Sequence, residues 1–174
     1  IGEDCLSGDV NEDQVLNVID VVQLVQAIVT ANTDNISCGD FNNDTEIDIL
    51  DVVALVQFIV NPRTVDATEA TLNINSSDVT IDAEGYIGAV QMILSHGNDF
   101  SIELTDKAYV VDYNTESNQT ILVVVAPESN ELFTYKGDFE VLDYIVANSS
   151  SEVSTTISEI TFNLGAAYPN PFNP

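Results

Sequence analysis

Asp9, Asn11, Asp13, Asn17 and Asp20 place side-chain oxygens at relative positions 1, 3, 5, 9 and 12 of one short segment. Asp40, Asn42, Asp44, Asp48 and Asp51 repeat the same spacing 31 residues later. Carboxylate and amide oxygens alternating along a tight loop suit a hard divalent cation, which takes about six to eight oxygens at ~2.3–2.6 Å. Main-chain carbonyls at position 7, from Val15 and Glu46, would complete each set. Position 12 is the shorter Asp20 or Asp51 where a Glu is usual, so each loop must close more tightly on its ion.

The segments GDVNEDQVLNVIDVVQLVQAIV, 8–29, and GDFNNDTEIDILDVVALVQFIV, 39–60, superimpose over their whole length. Self-similarity this dense marks one structural unit duplicated. The spacing is that of a calcium loop of the EF-hand kind, so two calcium ions are expected. Position 6, usually Gly, is Gln14 in the first loop and Thr45 in the second. Either these residues adopt a costly backbone conformation or the loop differs in shape.

Helices are expected after each loop, over VVQLVQAIV and VVALVQFIV. Their β-branched residues are poor helix formers, but an acid at the start complements the helix dipole. No room exists for helices ahead of the loops, because the connector TANTDNISCG is rich in turn residues. What remains is loop-then-helix, twice. GDVNEDQVLNVIDVV and GDFNNDTEIDILDVV thereby resemble the dockerin, a duplicated calcium-binding module whose partner is a β-sandwich called a cohesin. The resemblance covers residues 5 to 61. It implies that loop positions 10 and 11, Val18 with Ile19 and Ile49 with Leu50, help select the partner. Both pairs are apolar, so recognition would be greasy. The helices themselves are apolar on nearly every face, and two short helices cannot bury that surface against each other alone. Either the following domain or another molecule must cover the rest.

Asn61 and Pro62 are expected to stop the second helix, with residues 62–69 as linker. From residue 70 to 164 the texture becomes alternating, in about eight segments divided by turn residues. That pattern predicts an antiparallel β-sandwich. YIGAVQMILSHGNDFSIEL and QTILVVVAPESNELFTYKGDFEVLDYIVA are similar to cohesin-type domains, which implies a later crossing, by helix or loop, before a final apolar strand. An immunoglobulin-like sandwich fits the same pattern. The fold class expected is therefore multidomain: a two-helix dockerin-like module, residues 1–61, joined to a cohesin-like or Ig-like β-sandwich, residues 70–164. The tail, 165–174, contains YPNPFNP, which looks like the opening of the C-terminal sorting domain of type IX secretion cargo in Bacteroidetes-like bacteria. Such a stub, and a chain starting at Ile1, are expected of a processed or trimmed product.

The 174 residues include 29 acids against three basic residues, Arg63, Lys107 and Lys136, for a formal charge of −26. Such a surface repels phosphate backbones and anionic lipid, which argues against nucleic acid and membrane partners. It attracts cations, although acidity can also serve solubility alone. No apolar run reaches the ~18–20 residues of a membrane-spanning helix. Cys5 and Cys38 each precede an acidic segment; a bond between them would imply an oxidising compartment. Catalysis is not expected, because any Ser-His or Cys-His pair would have to use the single histidine, His96, in a turn-like SHGND stretch. The chain has no Trp, and its tyrosines, Tyr109 and Tyr113 among them, are expected to serve packing rather than sugar binding.

These readings together imply a non-enzymatic, calcium-stabilised protein at the surface or exterior of a bacterium. Copies of it would join head-to-tail through dockerin–cohesin-like contacts into a filament. In the alternative, the calcium module anchors a larger secreted enzyme or adhesin to a cohesin-type domain of a surface scaffold.

Overall fold

The computed structural model describes residues 5–36, 38–60 and 65–159. Helix α1 spans Val18–Val29 and helix α2 spans Ile49–Val60. Both begin inside the loops, three residues earlier than the apolar runs suggest. The reason is capping. Asn17 Oδ1 accepts from Ile19 N at 2.8 Å, and Asp20 Oδ2 accepts from Asn17 N at 2.9 Å, forming a capping box at the start of α1. The second loop repeats this, with Leu50 N to Asp48 Oδ1 at 2.7 Å and Asp48 N to Asp51 Oδ2 at 2.9 Å. Caps and burial together overcome the weak helix propensity of the valines. A short 3-10 turn, Thr33–Asn35, lies in the connector between the helices.

Nine strands follow among the described residues. One sheet has five strands in the order β4 (Ser101–Leu104), β7 (Glu131–Lys136), β2 (Asp78–Ala83), β1 (Glu69–Ile74) and β9 (Ser154–Glu159). The other has four, in the order β5 (Ala108–Glu116), β6 (Gln119–Pro127), β3 (Ala89–His96) and β8 (Phe139–Ala147). The sandwich is not wholly antiparallel as expected, because β1 and β9 pair in parallel, from Glu69↔Ser154 to Ile74↔Glu159. The strand missing from the sequence reading is β7. Its ends are Glu131 and Lys136, which read as part of a long turn, yet Leu132 and Phe133 within it are fully buried. No helix lies between β8 and β9; a short turn makes that crossing, held by Asn148 Oδ1 accepting from Ser150 N and Ser151 N, each at 2.9 Å.

Two cores result. The first lies between the sheets and contains Leu72, Val79, Met92, Leu94, Leu122, Val124, Phe133 and Val146. The second lies on the outer face of the four-stranded sheet. There Ala89, Val123, Val125 and Ala147 pack with Val21, Leu24, Val25 and Ile28 of α1 and Val52, Val53, Leu55 and Val56 of α2. Strands β3 and β6 are thus covered on both faces, which explains the unbroken run ILVVV at 121–125. Much of the apolar surface that two helices cannot bury alone is covered here by the chain's own sheet, while Val18, Ile19, Val22, Phe58 and Val60 stay exposed.

Part of the expected linker is built into the sandwich. Tyr86 N donates to Val65 O at 2.7 Å and Ala67 N to Tyr86 O at 3.1 Å. Asn148 Nδ2 donates to Ala67 O at 2.9 Å, and Ser149 Oγ donates to Asp66. Ala67 is fully buried. The expected helix stop at Asn61-Pro62, the final residues of the last expected strand and the YPNPFNP tail lie outside the described residues.

Candidate metal centre

Each loop is organised by its first and last acids. Asp9 accepts from Asp13 N at 3.0 Å and Gln14 N at 2.7 Å. Asp40 accepts from Asp44 N and Thr45 N, each at 3.1 Å. At the far end Asp20 Oδ1 accepts from Val10 N at 3.0 Å and Asn11 N at 3.3 Å. Asp51 Oδ1 accepts from Phe41 N at 2.8 Å and Asn42 N at 3.0 Å. The carboxylate that starts each helix therefore also reaches back to the loop's beginning, so twelve residues close into a ring. Between them Asn11 and Asn42 Oδ1 accept from Asp13 N at 3.0 Å and Asp44 N at 2.8 Å. Asp13 and Asp44 in turn accept from Val15 N at 2.8 Å and Glu46 N at 2.9 Å.

The missing glycine at position 6 has its expected cost. Gln14 lies at φ 67° and Thr45 at φ 79°, in the left-handed region that favours glycine. Glu12 and Asn43, at position 4, are left-handed too, at φ 59° and 62°. For Thr45 the β-branched side chain makes this strain worse. The alternating hand curls the loop so that successive oxygens turn inward.

Asp20 and Asp51 are both fully buried, with no Lys or Arg bonded to either among the described residues. Burial pushes the Asp51 carboxyl above the usual carboxylate range. The N–H groups of Asn42, Asp48 and Phe41 oppose that shift, and the Asp48 charge adds to it. A buried carboxylate needs a counter-charge. The side chains that the spacing groups in each loop offer only Asp and Asn oxygens, which would suit Ca²⁺ rather than a thiophilic or imidazole-bound metal. Among the described residues no three Asp, Glu, His or Cys side chains gather as a metal cluster by themselves. The ligand set expected from the spacing would interleave those acids with amide oxygens of Asn11, Asn17 and Asn42 and with main-chain carbonyls.

The two loops are joined at their beginnings. Cys5 and Cys38 form a disulfide with Cα atoms 5.8 Å apart, within the usual span. Gly8 N donates to Cys38 O at 2.7 Å and Ser7 Oγ to Asp40 O at 3.1 Å. Gly8 is at φ 87°, and a Cβ there would lie 2.5 Å from the Phe41 ring, so only glycine fits this crossing.

The four apolar residues at positions 10 and 11 are not equivalent. Val18 and Ile19 are 42% and 50% exposed. Ile49 is fully buried in the helix–sheet core, and Leu50 packs against that core while half-buried. Ile49 has no surface to offer a further partner in this arrangement. Val15 and Val22 extend the exposed patch on the first half, at 57% and 37%. Tyr109 and Tyr113 do not serve packing as expected: both are exposed, on the edge strand β5. His96 ends β3 instead of sitting in a turn. It stacks on Phe100 at 4.3 Å between ring centroids, with Nε2 2.8 Å from Thr120 Oγ1 and Nδ1 3.0 Å from Gly97 O. Thr120 is fully buried, while His96 is half-buried.

No family model matches the sequence, and no curated protein matches it. Among solved structures the chain is similar to a non-cellulosomal cohesin from the hyperthermophilic archaeon Archaeoglobus fulgidus, at 15% identity and a TM-score of 0.35. That match covers 56% of this chain and 87% of the cohesin. It is also similar to the cohesin module of a family 33 glycoside hydrolase from Clostridium perfringens, at 10% identity and a TM-score of 0.29, covering 55% of this chain and 99% of that module. Identities and scores at this level fall short of shared family membership.

Proposed function

We propose that this chain is a non-enzymatic extracellular assembly protein, whose two loops each hold one calcium ion and whose copies join head-to-tail. In the first loop Asp9, Asn11, Asp13, the Val15 carbonyl, Asn17 and Asp20 hold the ion. In the second the ligands are Asp40, Asn42, Asp44, the Glu46 carbonyl, Asp48 and Asp51. Calcium supplies the counter-charge that buried Asp20 and Asp51 need, and so fixes the angle at which each helix leaves its loop. The helix pair and the outer face of the four-stranded sheet are the two halves of one contact. The observation that supports this reading is the helix–sheet core, an apolar interface between the duplicated module and the sandwich that is made here within one chain and that an exchange of the helix pair between copies would reproduce. When the helix pair of one copy seats on the sheet of the next, every contact is preserved and the interaction is heterologous, so it propagates into a filament unless the rotation closes. The disulfide suits the oxidising exterior where such a filament would stand.

Sedimentation of the full chain at rising concentration tests the assembly half of this proposal. In calcium the mass is expected to grow with concentration, and in chelator to return to one chain. A single 18.8 kDa species at every concentration in calcium would contradict it.

A further inference from the structure

We infer that the two loops are unequal: loop 40–51 is the tight, structural calcium site, and loop 9–20 the weaker, exchangeable one. The inference rests on the calcium reading above and adds which ion leaves first. Three differences point the same way, the first two both arising from Asn17 standing where the other loop has Asp48. Loop 40–51 carries Asp40, Asp44, Asp48 and Asp51, whereas loop 9–20 carries Asp9, Asp13 and Asp20, with Asn17 standing where the other has Asp48. Affinity in such loops rises with ligand charge, and a bound dication also relieves the mutual repulsion of the acids. Second, Asn17 Nδ2 donates to Val15 O at 3.0 Å. Val15 O is the carbonyl an ion would need, so an ion there must compete with or share an oxygen already bonded to an amide. Asp48 carries no such donor, and its Oδ1 accepts from Leu50 N instead.

The third difference lies in what each loop is attached to. The first turn of α2 is clamped, with Ile49 and Val52 fully buried and Val53 at 2% exposure. Loop 40–51 is therefore held near its bound shape by the core, and little ordering is left for the ion to drive. The first turn of α1 opens with Val18 and Ile19 exposed and only Val21 of its apolar residues fully buried in that core, so fewer side chains clamp its loop. The ion in loop 40–51 then maintains the fold, while the ion in loop 9–20 controls the exposed patch of Val15, Val18, Ile19 and Val22. Falling calcium would alter that patch before it unseats the helices.

Calcium titration of the full-length chain, followed at the backbone amides of Gln14 and Thr45 by NMR, reads the two loops separately. The Thr45 signal is expected to saturate first, with dissociation constants separated by at least about tenfold. Asp48→Asn should weaken loop 40–51 by a similar factor and bring the two steps together, while Asn17→Asp should tighten loop 9–20. Simultaneous saturation in the unmodified chain, or Gln14 saturating first, would overturn the inference and leave the calcium reading intact. An unmodified chain in which neither amide responds to calcium would overturn both.

Discussion

Thr45 at φ 79° and Gln14 at φ 67° are the two residues whose chemistry works against their position. A side chain in the left-handed region costs roughly 1–2 kcal/mol, and glycine removes that cost while adding some entropy to the unfolded chain. Thr45→Gly and Gln14→Gly should therefore each stabilise the calcium-free protein by about 1 kcal/mol, read as a shift in the urea midpoint. No shift, or a loss, would mean that the side chains contribute contacts the backbone strain conceals. This conflict was legible in the sequence, because the ligand spacing fixes which position should be glycine. So were the identities of the oxygen-bearing residues, through the 31-residue repeat. The full burial of Asp20 and Asp51 was not legible, since it depends on the helices folding back over the sheet. Nor was the difference between exposed Val18 and buried Ile49, because a duplicated sequence cannot say how differently its two copies seat on the same sheet.

The helices exist because loop caps start them and the sheet covers them, so helix and sheet should melt together. Leu24 is fully buried in the helix–sheet core, and Leu24→Ala should cost about 2–5 kcal/mol. Far-ultraviolet circular dichroism at helical and strand wavelengths should then show one shared transition, displaced to lower temperature. Separate helix and strand transitions in the unmodified protein would mean that the second core does not couple them. Removing the crosslink with Cys5→Ser and Cys38→Ser together should cost about 2–4 kcal/mol, measured as a lower denaturation midpoint under non-reducing conditions. The two-sided burial of β6 had a readable sign, the run ILVVV at 121–125, which alternation alone would not produce. Strand β7 had a weaker one: LFTY at 132–135 favours a strand, but it is only four residues between charged Glu131 and Lys136. The parallel pairing of β1 with β9 depends on which edge of the sheet the chain returns to, and local pattern carries no trace of that.

At the scale of the whole molecule, 29 acids against three basic residues set self-repulsion against association. Two bound calcium ions would offset four of those charges, and dissolved salt screens the remainder over about 8 Å at physiological ionic strength. Assembly in calcium should therefore strengthen as sodium chloride is raised from low values towards ~0.15 M, followed by light scattering. Weakening over that range would mean that attraction between charges, not apolar contact, joins the copies. The most direct measurement of the central claim is negative-stain electron microscopy of the purified full chain. In calcium it should show thin filaments with a repeat of one chain; in chelator they should vanish, and they should regrow when calcium is restored. Isolated particles in calcium, or filaments that survive the chelator intact, would contradict a calcium-shaped head-to-tail assembly.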